Sequence, residues 1–259
     1  MPGSIFSSKV RWQPSHLLHN YRRALQWIKN NTIPEQGIAV SSEVRSPYLE
    51  VTGYLIPTLF DAGENDLAER YADFLSYVQL PNGSFAGSDG SEYVFDTGQA
   101  LRGLVSAFGY DERFEPFVFK AADYLASHIE KDGQIRSPYG KEIPEHVHVF
   151  VLPPLVQASR VLDRPDYFEK AKVALAYYER ASDVLDIGCS THFLGYILDG
   201  FIDMGRRDLV HPYVKSVFSR QRNNGSIPAL PNVRWTCSVG LAQLAIVGYK
   251  LGMYREADK

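Results

Sequence analysis

Side chains able to move protons, bind anions or ligate metals gather around the starts of five apolar stretches. The first stretch carries Glu43, Arg45, Tyr48 and Glu50. The second carries Tyr93, Asp96 and Gln99, with Arg102 a little further on. The third brings His146 and His148, the fourth Cys189, His192 and Tyr196, and the fifth Arg234, Trp235 and Cys237. Carboxylates, phenols, imidazoles, guanidinium groups and an indole in one ring suit a saccharide. Glu50 and Asp96 can form the acid/base pair of a glycoside hydrolase, whose separation would decide inversion or retention. Arg45 and Arg234 can instead neutralise a uronate carboxylate while Tyr48, His146 or His192 moves the proton on C5, which is lyase or epimerase chemistry. Trp235 and the tyrosines can stack on pyranose faces.

Each of these residues also has a plainer use. Glu50 and Asp96 sit where a first-turn carboxylate complements a helix dipole. Tyr48 and Tyr93 stand at matching distances before Gly53 and Gly98, as packing residues between repeats would. His146 and His148 are two apart, so on an α-helix at most one faces a shared site. Arg102 suits a buried ion pair as well as it suits substrate contact. A saccharide-binding module without catalysis is therefore an alternative to an enzyme.

A repeat positions these residues. Gln79-Leu-Pro-Asn-Gly-Ser-Phe85 returns as Gln221-Arg-Asn-Asn-Gly-Ser-Ile227, about three periods of ~47 residues later. Gly63, Gly109, Gly205 and Gly252 close apolar stretches at that period or twice it, and Gly53/Gly98 and Gly195/Gly240 keep a second phase. The spacing predicts amphipathic helices over His16–Asn31, Asn65–Leu80, Glu112–Glu130, Asp166–Ala181 and Asp208–Arg222. Apolar helices are expected over Pro47–Ala62, Phe95–Phe108, Pro144–Leu162, Thr191–Met204 and Val233–Leu251. Asp186–Gly188 reads as a weaker turn. Pro57, Pro153 and Pro154 are expected to kink or break their helices. The chain starts amphipathic and ends apolar, so the expectation is one all-α domain over 1–259, with an extended arm at 1–14. About five hairpins close into a ring whose first helix pairs with its last.

The 259 residues are 45% hydrophobic and 22% charged, with a net charge of −3 and no basic block. Nucleic acid and acidic membrane surfaces are therefore not expected partners. No apolar run is long enough for a transmembrane segment, and the first residues lack a secretory apolar core. Two cysteines make no disulfide framework, so the default compartment is the cytoplasm. Nothing in the sequence fixes the oligomeric state.

The Q-x-x-N-G-S turns joined to alternating helices resemble the α/α toroid superfamily. It includes terpenoid cyclases, protein prenyltransferases, lanthionine cyclases, six-hairpin glycosidases, several polysaccharide lyases and the helical domain of glucuronyl C5-epimerases. The resemblance spans His16 to Gly252 and implies an α/α barrel whose site lies in a funnel at the N-terminal ends of the inner helices. The turn is most similar to that of terpenoid cyclases, although their D-x-D-D motif is absent. Thr97–Leu104 is similar to a G-Q-A segment of the epimerase domain. Cys189-Ser-Thr-His192 and Arg234-Trp-Thr-Cys237 resemble, with extra intervening residues, the zinc motifs of lanthionine cyclases. That resemblance implies the alternative of a zinc cofactor on Cys189, His192 and Cys237 with an open fourth position. The carbohydrate readings imply no cofactor.

Overall fold

A computed structural model describes residues 14–87, 89–137, 143–180 and 189–259, without the side chains of 14–17. The N-terminal arm, Asp186–Gly188 and the junction before the third apolar stretch lie outside the described residues.

The chain runs α1 (Pro14–Asn31), α2 (Leu49–Asp61), α3 (Asn65–Val78), α4 (Val94–Phe108), α5 (Glu115–Ser127), α6 (Leu152–Val161), α7 (Pro165–Arg180), α8 (Thr191–Asp203), α9 (Arg207–Ser219), α10 (Ser238–Leu251) and α11 (Tyr254–Ala257). Short 3-10 helices precede α5 (Glu112–Phe114) and α6 (Glu145–Val151). Among the described residues extended pairing is limited to isolated bridges such as Ala86 with Glu92.

The helices form two layers, as the alternation of apolar and amphipathic stretches predicts. Inner helices pack side by side, α2 on α4, α4 on α6 and its 3-10 lead, that lead on α8, and α8 on α10. Each also packs on the outer helix that follows it, as α2 does on α3 and α6 on α7. Leu59, Leu101, Leu104, Leu155 and Phe201 are fully buried between the layers. Each such side chain contributes roughly 1.5–3 kcal/mol relative to exposure. The second glycine phase has a steric cause. A Cβ on Gly53 would lie 2.4 Å from the Gln99 carbonyl oxygen, so α2 and α4 approach backbone to backbone.

The turns are clamped to the next repeat. Gln79 Nε2 donates to the carbonyls of Gly83 (3.2 Å) and Phe117 in α5 (3.0 Å). Gln221 Nε2 makes the same two bonds, to Gly225 (3.2 Å) and to Glu256 in α11 (3.0 Å). The glutamine that opens the repeated motif thus ties one outer helix to the following one, and α11 takes the place relative to α9 that α5 takes relative to α3.

That placement corrects the expected ring closure. Among the described residues α10 packs on α8, α9 and its own outer helix α11, with no comparable packing on α1. α1 stays with the first hairpin, where Lys29 pairs with Glu64 at 2.6 Å and Thr32 shares a hydrogen bond with Tyr71 at 2.7 Å. Trp27 on α1 and Val239 and Ile246 on α10 remain exposed. The chain turns at Gly252, whose φ of 77° is left-handed, and so supplies α10 with an outer partner locally.

The proline expectations divide. α2 runs through Pro57 without a break. Pro153 and Pro154 open α6 in its first turn, where a missing N–H costs little. Neither can donate back to residues 149 and 150, so the upstream half settles as a 3-10 helix instead of the continuous Pro144–Leu162 helix expected. The last apolar helix likewise begins at Ser238, and 233–237 is irregular.

Candidate active site

A cavity of about 1130 Å³ opens at the N-terminal ends of the inner helices. From the predicted set it gathers Tyr48, Glu50, Tyr93, Asp96, His192 and Tyr196. Tyr48 and Tyr93 are the N-cap residues of α2 and α4, and neither side chain caps its helix. Both phenols face the cavity instead. Tyr93 donates to Asp89 at 2.6 Å, which holds that exposed carboxylate below its usual range.

Glu50 lies in the first turn of α2 and is 9% exposed, as is Asp96 in the first turn of α4. Burial pushes the Glu50 carboxyl up, against the opposing hydrogen bonds from Tyr48 and Tyr196. Desolvation of the charged form outweighs two donors and a helix N-terminus. The Tyr196 hydroxyl is 3.2 Å from Glu50 Oε1. The phenols are themselves raised, first by burial and then by nearby carboxylates, Glu50 and Asp96 for Tyr48 and Glu50 for Tyr196. They are therefore donors at every working pH. Rings hold Tyr196 in place, with Phe95 at 5.1 Å, Phe150 at 4.8 Å and His192 at 5.0 Å between centroids.

Several predicted residues lie elsewhere. Glu43 is exposed in the loop before α2, and Arg45 reaches the carbonyls of Asn30 and Thr32 at the end of α1. His146 packs its ring on Tyr178 of α7 at 5.6 Å, and His148 is buried, with Nδ1 2.8 Å from the Glu145 carbonyl. Burial lowers His148 to about 4. Neither lines the cavity; Val147 between them does. The 3-10 winding turns the apolar residue inward and the two imidazoles away. Gln99 is buried and accepts from Arg102 Nε at 3.2 Å. Arg102 stacks 4.4 Å over the Phe150 ring and donates to its carbonyl at 3.0 Å. Asp203 and Asp199 are its acidic neighbours, and both pair with Lys250. Arg234 and Trp235 are exposed before α10 and outside the cavity lining, because the helix starts later than expected.

Cys189 and Cys237 are free and partly buried, and burial raises the Cys189 thiol to about 11. Among the described residues no three His, Cys, Asp or Glu side chains are arranged to hold a metal ion, so Cys189, His192 and Cys237 are not gathered as ligands.

Other groups at the site escaped sequence reasoning. Tyr54 is partly buried beside Tyr196, shares a hydrogen bond with it, and feels the Glu50 charge. Its position four residues after Glu50, on the same helix face, was the available signal. Gln36 and Tyr77 line the cavity from a loop and from an outer helix, where nothing in the sequence set them apart from solvent-facing residues. The described lining holds no arginine or lysine.

Two layers of alternating inner and outer helices, with polar groups gathered at one end of the inner layer, make this an α/α toroid. The C-terminal domain of squalene-hopene cyclase matches by sequence over residues 41–139. No curated protein sequence matches the chain. Among solved structures, an alpha-amylase from Clostridium perfringens superposes with a TM-score of 0.70 at 15% identity, over 90% of this chain and 83% of that one. A GH76 alpha-mannanase from Bacteroides thetaiotaomicron gives 0.62 at 14% identity, over 93% and 82%. The type II terpene cyclase MstE from Scytonema gives 0.59 at 14%, over 93% and 77%. At such identities the likeness is one of fold. No described helix is long and apolar enough to cross a membrane.

Proposed function

We propose that the protein is a carbohydrate-active enzyme of the glycoside hydrolase type, with Glu50 as general acid and Asp96 as its carboxylate partner. The observation that carries this reading is Glu50 itself, a buried carboxyl with a raised pKa, gripped by phenols beside a cavity that also holds buried Asp96. A protonated Glu50 gives its proton to the glycosidic oxygen as the C1–O bond breaks. Asp96 then either takes a proton from the attacking water or attacks C1 itself, and the carboxylate separation selects between inversion and retention. Tyr48, Tyr93 and Tyr196 supply ring faces and hydroxyl donors for a saccharide.

Hydrolysis is favoured over uronate elimination or epimerisation by the described lining, which holds no arginine or lysine. Those reactions call for a cation at the substrate carboxylate, and Arg45 and Arg234 are engaged or exposed elsewhere. The structural neighbours include glycoside hydrolases and a polysaccharide lyase, and so support a carbohydrate-active enzyme without choosing between the two reactions. The squalene-hopene cyclase match spans the Gln79–Phe85 turn, while the D-x-D-D motif of terpenoid cyclases is missing from the sequence.

The test is a panel of α- and β-linked oligosaccharides with wild type, Glu50→Gln and Asp96→Asn. Turnover by the wild type, reduced by about 10²–10⁴ in each variant, is expected. Saccharide binding that survives both substitutions, with no turnover by any form, would instead define a binding module.

A further inference from the structure

The fifth repeat contributes no lining residue to the cavity, yet it reaches the site through one side chain. Gln243, in the second turn of α10, places Oε1 3.0 Å from His192 Nδ1 in α8. Two glycines allow this approach. A Cβ on Gly195 would lie 2.6 Å from Gln243 Cβ, and one on Gly240 would lie 2.8 Å from the His192 backbone nitrogen. The second glycine phase therefore closes α8 onto α10 where the glutamine must reach the imidazole.

A carboxamide oxygen only accepts, so with Oε1 facing the ring Nδ1 carries the proton. A neutral imidazole protonated at Nδ1 bears its lone pair on Nε2. Among the described residues Nε2 has no hydrogen-bond partner, and the ring lines the cavity, set against Tyr196 at 5.0 Å. We infer that Gln243 is a positioning residue that locks His192 as the Nδ1–H tautomer, so that Nε2 is presented to the saccharide as an acceptor of a substrate hydroxyl proton. This role rests on the hydrolase reading for its substrate, while the tautomer stands independently of any turnover. Glu50 and Asp96 can only accept when ionised, and the phenols donate. A neutral imidazole acceptor gives the cavity a group that holds a sugar hydroxyl without adding charge.

The experiment compares wild type with Gln243→Glu and Gln243→Leu. Glutamate keeps an acceptor and has no donor; leucine keeps the volume and has neither. Nitrogen-15 spectra of the imidazoles, assigned with His192→Ala and recorded where His192 is neutral, report the tautomer directly. Nδ1–H is expected in wild type and Gln243→Glu, with tautomer mixing in Gln243→Leu. With a saccharide that the wild type turns over, Gln243→Leu should lose roughly 10-fold or more in kcat/KM, and Gln243→Glu should restore most of it. An Nε2–H tautomer in wild type overturns the assignment, since it would mean that the amide donates to Nδ1. An unchanged tautomer in Gln243→Leu also overturns it, because the glutamine would then be packing alone. Both readouts stand even if no saccharide is hydrolysed, so failure of the tautomer and failure of the hydrolase reading are separate results.

Discussion

The Tyr196 hydroxyl meets Glu50 Oε1 at 3.2 Å across 146 positions of sequence, joining the fourth inner helix to the first. This bond shows that the inner layer curves enough to bring both helices to one cavity, although α1 and α10 do not zip together. It also pulls the Glu50 carboxyl down, against the burial that raises it.

Glu50→Gln should cut turnover by about 10²–10⁴ and stabilise the fold at neutral pH. The folded-state pKa of Glu50 is raised by burial, so the folded protein holds the proton more tightly than the unfolded chain. The stability this confers is complete below the unfolded value near ~4.3 and is lost as pH rises through the raised value. Thermal melts should show a higher Tm for the variant at neutral pH, with the gap closing toward acid. A gap that is constant with pH would mean that Glu50 is ionised without penalty.

Tyr196→Phe removes a donor that favours the Glu50 carboxylate, so the carboxyl should move further up. A general acid must be protonated, so the alkaline limb of the pH–rate profile should shift to higher pH. The lost buried hydrogen bond should cost about 1 kcal/mol of stability. A limb that stays in place, or moves toward acid, would separate Tyr196 from the acid's titration.

Gln79→Leu and Gln221→Leu should destabilise the fold by similar amounts, since each removes the same pair of bonds to a turn carbonyl and to the next outer helix. About 1–3 kcal/mol is expected for each, measured by urea unfolding. A large loss at one site and none at the other would show that the two clamps are not equivalent.

Tyr77 is 88% exposed on outer helix α3 while lining the cavity mouth. On the hydrolase reading it is a stacking platform for sugar units beyond the reacting one. Tyr77→Ala should change stability by less than about 0.5 kcal/mol, as surface substitutions do. It should raise KM several-fold for longer saccharides, leaving the shortest substrate and kcat unaffected. Equal effects on all chain lengths would place the ring outside the binding path.

What the sequence settled was everything that depends on local periodicity. Alternating helix types, turn glycines and the recurring Gln79 and Gln221 motifs follow from 3.6-residue winding and a ~47-residue repeat, and both are visible along one strand of text. The same periodicity placed Tyr48, Glu50, Tyr93, Asp96, His192 and Tyr196 at one end of the inner layer. Tertiary structure decided what depends on rotation and register between helices. A 3-10 segment ahead of Pro153 turned His146 and His148 from the cavity, and a late helix start left Arg234 and Trp235 outside it. The partner of α10 was likewise decided in space, by a turn at Gly252 that folds α11 back onto Gln221. Gln243 meets His192 only because two glycines let separate helices touch, and a contact of that kind leaves no trace in the spacing of either residue.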